Sequence, residues 1–308
     1  MKLPNSLISQ SPNNLIAQQP NRLPIVFFGS SKFVIPILEV LRKNFDLELV
    51  LTTERLASQG ETLRSYPVVK YCVENKIKYL SVSNLSDPKV NSQLSIVNCQ
   101  LAVLADFGLI IPPAILNLFP KGIINIHPSL LPKYRGPTPV QTAILNGEKT
   151  TGVTIIKLDE EIDHGPILGL QKEEILDNDT AESLYKRLFE KGANLLSKVL
   201  IEYLDGSLKL EAQDHKKATF THHLTREDGF IDLNNPPSPE KLERMIRAYY
   251  PWPGTWTKLR IANRELRVKF LPGKKIQVEG KKPVSYKDFL NGYPELKQQL
   301  EKLLGQLV

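Results

Sequence analysis

Short apolar runs alternate with segments of helical periodicity through the first two thirds of the chain. The first run covers residues 23–29, is continuously apolar, ends in glycine, and predicts a buried parallel strand. Similar patterns predict strands at 47–52, 101–105, 123–127 and 152–158, with an antiparallel partner at 167–175. Helices are predicted at 31–41, 67–75, 112–118, 139–146 and 180–206. Strands that alternate with helices indicate an α/β fold with helices on both faces of a sheet.

The periodicity changes after residue 206. Residues 207–224 have no clean period and are interpreted as a linker. A helix is predicted at 241–250, followed by short strands at 255–261, 265–271 and 275–279. Short strands separated by turn residues indicate a small β-barrel or sheet.

The length of the chain supports a division into two domains. Chains longer than roughly 250–300 residues usually form several domains rather than one larger core, and this chain has 308 residues. We therefore expect an α/β domain at 23–206 and a smaller domain at 225–308. Residues 1–22 are rich in Asn, Gln, Ser and Pro and contain no acidic or aromatic residue, which predicts a disordered tail.

No apolar run reaches about 18 residues, so no membrane span is expected. The two cysteines form no metal-ligand pattern, and a reducing cytoplasm is the expected location.

The positive charge lies in the last third of the chain. The formal net charge is +7, and residues 215–308 carry 18 Lys and Arg against 10 Asp and Glu. Such an asymmetry indicates a polyanionic partner, most simply a nucleic acid. A basic, solvated surface without a ligand explains the same count, and charge alone does not separate the two interpretations.

The candidate chemistry begins at the end of the strand predicted at 123–127. Asn125 and His127 are two residues apart on that strand, so their side chains point to the same face. Open α/β sheets place ligands at the carboxyl ends of their strands. An amide beside an imidazole can bind a carbonyl oxygen and move a proton. The alternative is that both side chains only satisfy neighbouring backbone groups. No G-x-G-x-x-G or Walker pattern indicates a dinucleotide or a nucleoside triphosphate.

A second polar segment follows the strand predicted at 152–158. Its sequence, D-E-E-I-D-H-G at 159–165, places Asp163 in a loop. A carboxylate there could orient His127 and stabilise its charged form. The alternative is an ordinary acidic turn on the surface.

Both segments together resemble the folate-dependent formyltransferase family. The first segment is N-I-H-P-S-L-L-P-K-Y-R-G at 125–136, and the second is D-E-E-I-D-H-G-P-I at 159–167. The opening I-V-F-F-G at 25–29 and A-D-F-G-L-I-I-P at 105–112 fit the same family. The resemblance implies a Rossmann-like formyltransferase domain with a mostly parallel sheet.

The C-terminal part is similar to the members of this family that act on initiator tRNA. The matching segments cover residues 224–233, 246–256 and 286–292. The resemblance implies a small oligonucleotide-binding (OB-like) β-barrel. Only about three strands can be placed between residues 256 and 286, fewer than the five of such a barrel, which leaves open whether the barrel is complete.

The resemblance also implies an activity and its residues. The family moves a formyl group from 10-formyltetrahydrofolate to an amine, and no metal is expected. Asn125 and His127 would stabilise the tetrahedral oxyanion, His127 would take part in proton transfer, and Asp163 would hold His127 and an ordered water. The implied folate contacts are Ser129, Leu130, Leu131, Pro132, Phe107, Gly108 and Leu109.

The implied acceptor is the α-amino group of methionyl-initiator tRNA, and a monomer is expected. The alternative enzyme is a sugar N-formyltransferase that acts on a nucleotide-linked amino sugar. A third possibility is a non-catalytic RNA-binding protein on an enzyme scaffold. Such a protein would not bind folate, and the sugar enzyme would not need the basic C-terminal part.

Overall fold

The structure is a computed structural model, and it describes residues 22–53, 66–261 and 264–304. The tail predicted at 1–22 lies outside the described residues except for Arg22. No helix in the described part of the chain has the length and apolar character needed to cross a membrane.

A seven-stranded sheet forms the first layer, in the order β3-β2-β1-β4-β5-β6-β7. Its strands are β1 Pro24–Phe28, β2 Asp46–Thr53, β3 Tyr79–Val82, β4 Leu101–Leu104, β5 Ile123–His127, β6 Thr150–Lys157 and β7 Ile167–Glu174. The pairs β1–β2, β1–β4, β2–β3 and β4–β5 are parallel, whereas β5 and β6 are antiparallel. The mostly parallel α/β sheet expected from the sequence is therefore confirmed.

Nine α-helices accompany the strands in the described residues. They are α1 Ile35–Asn44, α2 Pro67–Glu74, α3 Pro88–Val97, α4 Pro113–Leu116, α5 Pro139–Leu145, α6 Ala181–Leu204, α7 Pro239–Ala248, α8 Tyr286–Gly292 and α9 Lys297–Leu304. Four of them, α2, α3, α4 and α7, have proline in the first turn after an extended N-cap residue. Proline is tolerated there because the first amides of a helix have no partner within it.

Two elements of this sheet layer were not predicted from the sequence. β3 has only four residues, and one of them, Tyr79, is 38% exposed. α3 carries two buried positions, Val90 and Leu94, among mostly polar residues. In both cases the apolar signal is too short to show a period, and packing in the layer determines the structure.

The strands at the centre of the sheet are buried on both faces. All residues of β5 are buried, and four of the five residues of β1 are buried. Strands covered on both sides read as continuous apolar runs, because no position faces water. Two polar residues in β5, Asn125 and His127, therefore interrupt a strand that is otherwise entirely apolar.

The chain divides into two compact units. Unit 1 contains the chain up to His127 together with Thr154–Gln171 and Phe189–Gln213. Unit 2 contains Pro128–Val153, Lys172–Leu188 and the chain from Asp214 onward. The division into a 23–206 domain, a 207–224 linker and a 225–308 domain stays a prediction.

A second, antiparallel sheet lies in unit 2, in the order β11-β10-β9-β8. Its strands are β8 Thr255–Ile261, β9 Arg264–Leu271, β10 Lys275–Val278 and β11 Val284–Ser285. The three predicted strands are present and β11 is an addition. Within residues 22–53, 66–261 and 264–304 these strands form an open sheet rather than a closed barrel.

Trp256 anchors this small sheet. Its side chain is buried, its Nε1 donates to the Arg226 carbonyl at 2.9 Å, and the Phe230 ring lies 4.8 Å away between centroids. The Arg267 guanidinium lies 4.1 Å from the centre of the indole ring. An aromatic side chain of this size supplies much of the apolar burial that a small domain needs.

The two cysteines are free thiols in the apolar interior. Cys72 and Cys99 are both buried. Burial raises the pKa of Cys72 to about 12 and, together with the charges of Glu48 and Asp46, that of Cys99 to about 11. Both side chains therefore behave as small apolar groups at neutral pH.

A buried ion pair stabilises the start of α6. Asp179 is only 3% exposed, and its two oxygens accept hydrogen bonds from Arg187 Nη1 at 2.8 Å and Nη2 at 2.5 Å. The carboxylate also accepts the amide of Leu176 and the hydroxyl of Ser183, both at 2.8 Å. Burial acts to raise the pKa of Asp179, but these hydrogen bonds outweigh it and hold the pKa below its ordinary value.

The substitution Asp179→Asn should lower the free energy of unfolding by about 3 kcal/mol at neutral pH, because it leaves the Arg187 guanidinium without its main anion. Since the folded-state pKa lies below the unfolded one, this contribution is complete above the unfolded pKa of about 3.9. It is lost as the pH falls through the folded value. Urea unfolding of both proteins at decreasing pH measures the difference.

The matched control is Asp177→Asn, because Asp177 pairs with Lys149 at 3.1 Å while both side chains are exposed. An exposed pair contributes little, so this variant should unfold like the wild type. A loss of stability at Asp179→Asn that does not change with pH would contradict the role given to the ion pair.

Candidate active site

Two polar side chains lie at the carboxyl end of β5, in unit 1. Asn125 and His127 are each 5% exposed and are two residues apart, so they share one face of the sheet. Their partners in the antiparallel strand β6 are Ile156 and Thr154. A buried amide and a buried imidazole need polar partners, because a buried polar group without one costs free energy.

Asp163 supplies the partner for both side chains. Its Oδ1 accepts a hydrogen bond from Asn125 Nδ2 at 3.1 Å, and its Oδ2 lies 3.5 Å from His127 Nδ1. The Asp163 side chain is 12% exposed. The three residues that the sequence singled out therefore meet in one cluster, although Asp163 is 38 positions from Asn125 along the chain.

The geometry of this cluster defines what each group can do. Asn125 has two amide hydrogens, and Asp163 accepts one of them. The 3.5 Å separation between His127 Nδ1 and Asp163 Oδ2 is longer than a well-formed hydrogen bond but within the range of an ion pair. The cluster combines an amide donor, a group that can transfer a proton, and a carboxylate that orients both.

A tight turn after β6 brings Asp163 to β5. Asp163 has φ +50°, a left-handed conformation that is uncommon for residues other than glycine. A Cβ on Gly165 would lie 1.8 Å from the Lys157 carbonyl oxygen, so only glycine fits at this position. The Lys157 amide donates to the Pro166 carbonyl at 3.0 Å, which closes the turn.

Three of the predicted folate contacts, at 107–109, lie after β4, also in unit 1. Phe107 is only 2% exposed and meets the Phe28 ring edge-on at 5.3 Å, so its side chain belongs to the core. Gly108 is exposed with φ +83°, and Leu109 is half-buried. Ile110, which the sequence interpretation did not single out, is 78% exposed. The backbone at Gly108 and the side chains of Leu109 and Ile110 have surface that a ligand can reach.

Ser30 fixes the position of this loop. Its backbone amide donates to the Asp106 carbonyl at 3.1 Å, and its hydroxyl donates to the Phe107 carbonyl at 3.2 Å. The same hydroxyl oxygen accepts the amide of Thr53 at 3.0 Å. One side chain thus connects the ends of β1 and β2 to the loop after β4, a role for which no motif in the sequence gave a signal.

The predicted folate contacts at 129–132 belong to unit 2. Ser129 is fully buried and its hydroxyl donates to the Lys133 carbonyl at 2.7 Å, which shapes the loop from within. Leu131 is buried, whereas Leu130 and Pro132 are half-buried. Leu130 and Pro132 are therefore the members of this segment with surface to offer a ligand.

Residues from the predicted linker hold this segment in place. The Thr219 hydroxyl accepts the Tyr134 amide at 2.8 Å, and the Thr219 carbonyl accepts the Arg135 amide at 2.8 Å. The Thr221 hydroxyl donates to the Arg135 carbonyl at 3.1 Å and accepts the Thr138 amide at 3.1 Å. Thr219 and Thr221, two residues of the predicted linker, are thus well bonded within unit 2.

No group of three or more His, Cys, Asp or Glu side chains that could hold a metal ion occurs in the stretches that the structure describes.

A buried Asn–His–Asp cluster at the carboxyl end of a mostly parallel sheet is typical of an α/β enzyme, and these side chains have the groups needed to bind an oxyanion and to transfer a proton. Comparison with known families is more specific. The family model described as Formyl transferase matches residues 23–200, and the model described as Formyl transferase, C-terminal domain, matches residues 223–275. The chain belongs to the formyl transferase family, which confirms the resemblance seen in its sequence.

Relatives with the name methionyl-tRNA formyltransferase resemble most of this chain. The protein of Chloroflexus aurantiacus is 42% identical over 235 residues, which are 76% of this chain and 75% of the relative. The protein of Buchnera aphidicola is 35% identical over an alignment that spans 82% of this chain and 80% of the relative. The protein of Koribacter versatilis is 34% identical over an alignment that spans 87% of this chain and 95% of the relative.

Solved structures share the fold at lower identity. A 4-N formyltransferase from Francisella tularensis has a TM-score of 0.63 at 20% identity and covers 82% of this chain and 98% of its own. A sugar N-formyltransferase from Shewanella has a TM-score of 0.62 at 19% identity and covers 81% of this chain and 98% of its own. At these identities the likeness establishes the fold alone.

Removing any member of the cluster should slow formyl transfer while the chain stays folded. We expect kcat/KM to fall by roughly 10²–10⁴-fold in Asn125→Ala, His127→Ala and Asp163→Asn, because each change removes an oxyanion donor, a proton carrier or the group that orients them. Steady-state kinetics with circular dichroism as a check of folding measure this.

His223→Ala is the matched control, because His223 is an exposed histidine far along the chain from the cluster. It should retain the wild-type rate. Near-normal turnover in any of the three cluster variants would remove that residue from the mechanism.

Proposed function

We propose that this chain transfers a formyl group from 10-formyltetrahydrofolate to the α-amino group of methionyl-initiator tRNA. The observation that carries the formyl-transfer chemistry is the contact of Asp163 with both Asn125 and His127. The choice of acceptor is supported by relatives named methionyl-tRNA formyltransferase that are 34–42% identical over at least three quarters of the chain. It is also supported by the positive charge of the C-terminal part.

The reaction begins when the neutral amine attacks the formyl carbon. A tetrahedral intermediate forms, and the former carbonyl oxygen becomes an oxyanion. In our proposal the second N–H of Asn125 donates to this oxyanion, since Asp163 accepts the first. Nδ1 of His127 faces Asp163. In our proposal the other ring nitrogen, Nε2, would therefore reach the reacting groups.

A proton must then move from the attacking nitrogen to the leaving nitrogen. The attacking amine loses one proton, the bond between the formyl carbon and the folate nitrogen breaks, and that nitrogen gains a proton. His127 would carry the proton, and Asp163 would stabilise the imidazolium that forms on the way. Asp163 would also hold an ordered water that relays the amine proton. The α-amino group of an aminoacyl ester is neutral near pH 7 far more often than a lysine side chain, which explains the choice of amine.

The folate contacts are proposed residue by residue from the family resemblance. We assign its contacts to Leu130 and Pro132, with Ser129 and Leu131 shaping their loop from buried positions. The wall of the pteridine site would come from Gly108 and Leu109, while Phe107 supports that loop from the core. Apolar side chains around a few fixed polar groups are typical of a site for a flat, ring-containing ligand.

The tRNA would bind through the basic part of unit 2. Four exposed lysines lie at the two ends of β10, namely Lys274, Lys275, Lys281 and Lys282. Lysines on exposed turns can contact phosphates without reading base sequence, and such contacts weaken as salt increases.

The direct test is formyl transfer from 10-formyltetrahydrofolate to methionyl-initiator tRNA at low and at moderate salt. We expect transfer, with a KM for tRNA that rises with salt. Transfer only to a nucleotide-linked amino sugar would assign the chain to the sugar N-formyltransferases. Absence of both transfer and folate binding would indicate a non-catalytic RNA-binding protein.

Reversing the four lysines near β10 to glutamate should raise the KM for tRNA by about 10-fold or more while kcat stays near the wild-type value, because phosphate contacts serve binding rather than chemistry. Steady-state kinetics at about 0.1 M salt measure both parameters.

The matched control reverses four exposed lysines of unit 1, which are Lys43, Lys70, Lys78 and Lys89. This variant has the same total charge change and should keep a near-normal KM. Equal losses in both variants would show that only the net charge matters and would contradict a defined contact surface.

A further inference from the structure

Gln213 is a buried polar side chain that the mechanism does not use. It is 5% exposed, and its Nε2 donates to the Asp163 carbonyl at 2.8 Å and to the Gly165 carbonyl at 2.7 Å. Both acceptors are backbone groups of the turn that carries the catalytic carboxylate. The sequence gave no signal for this role, because Gln213 lies 50 positions from Asp163 in a segment without periodicity.

Backbone pairing determines where Gln213 lies. The Ile167 amide donates to the Glu211 carbonyl at 2.7 Å, and the Glu211 amide donates to the Ile167 carbonyl at 3.0 Å. This antiparallel bridge attaches the chain after α6 to the start of β7. Gln213 follows two residues later and therefore reaches the turn from a fixed position.

The turn needs such support because of its conformation. Asp163 has φ +50°, and a left-handed conformation at a residue with a side chain costs roughly 1–2 kcal/mol. The turn also directs the carbonyls of Asp163 and Gly165 inward, where an acceptor without a donor would be destabilising.

A glutamine amide suits this task. One nitrogen carries two hydrogens and can serve two carbonyl oxygens at once. Because both neighbours are carbonyl oxygens, only the nitrogen can face them, so the orientation of the Gln213 amide is determined.

We propose that Gln213 is a positioning residue for formyl transfer, in that it holds the 163–165 turn so that the Asp163 carboxylate contacts Asn125 and His127. The proposal rests on the formyl-transfer function stated above. Gln213 touches the backbone of Asp163 rather than the reacting atoms, so its effect on the reaction is transmitted through that carboxylate.

Two substitutions test this role. Gln213→Glu keeps the size of the side chain but directs a carboxylate at two carbonyl oxygens, and Gln213→Met keeps the length but removes the donor. In both, the turn should move and the carboxylate should lose its contacts. We expect kcat to fall by roughly 10–100-fold, as for other residues that orient a catalytic group, while the KM values for folate and tRNA stay within about twofold.

A spectroscopic readout separates this proposal from the proposed function. In protein labelled with ¹⁵N-histidine, the imidazole signals of His127 report its contact with Asp163, and the His127→Ala variant identifies them. These signals should move in Gln213→Met and in Asp163→Asn in the same direction. This measurement requires no substrate, so it remains informative if the wild type fails to formylate tRNA.

The control is Gln277→Met, because Gln277 Nε2 also donates to a backbone carbonyl, that of Lys281 at 2.9 Å, at an exposed position in unit 2. It should leave kcat and the His127 signals unchanged. A Gln213→Met protein with a lower melting temperature but wild-type kcat and wild-type His127 signals would show a purely structural role and overturn the proposal.

If Gln213→Met does not fold, the pH dependence of kcat in Gln213→Glu decides, since protonation of the new carboxyl restores a donor and should raise kcat at low pH relative to the wild type. A parallel pH dependence in the two proteins would overturn it as well.

Discussion

The contact of one carboxylate with two polar side chains on a buried strand is the interaction on which the site depends. Asp163 accepts a hydrogen bond from Asn125 and lies within ion-pair distance of His127. Without this carboxylate, β5 would bury an amide and an imidazole among apolar residues, which is unfavourable. The groups that would perform the reaction are therefore also the groups that satisfy one another in the folded protein.

The sheet and the turn after β6 together produce this contact. Parallel pairing of β5 with β4 carries Asn125 and His127 to the carboxyl edge of the sheet, and antiparallel pairing with β6 returns the chain past them. The turn then reverses within a few residues, which requires the left-handed Asp163 and leaves room only for glycine at 165. Gln213 supplies two hydrogen bonds to the backbone of this turn.

Local features were predicted well from the sequence, whereas contacts between distant segments were not. The spacing of Asn125 and His127 placed both on one face of a strand, because the side-chain period of a strand is two. The residues alone left the role of Asp163 open between a partner of His127 and an ordinary acidic turn. Only the resemblance to a family favoured the partner, since no local pattern links positions 38 residues apart. Phe107 stays a predicted folate contact, and its ring packs against Phe28 in the core. Its position after a strand gave no information on the direction of the ring.

The central claim is that Asp163 acts through its two partners as one unit, and a double-mutant cycle tests it most directly. The rates of formyl transfer would be compared for Asp163→Asn, His127→Ala and the double variant. If the carboxylate works by orienting the imidazole, the second substitution should cost little once the first is present, as in other catalytic groups that act together. Independent losses that multiply in the double variant would contradict the account.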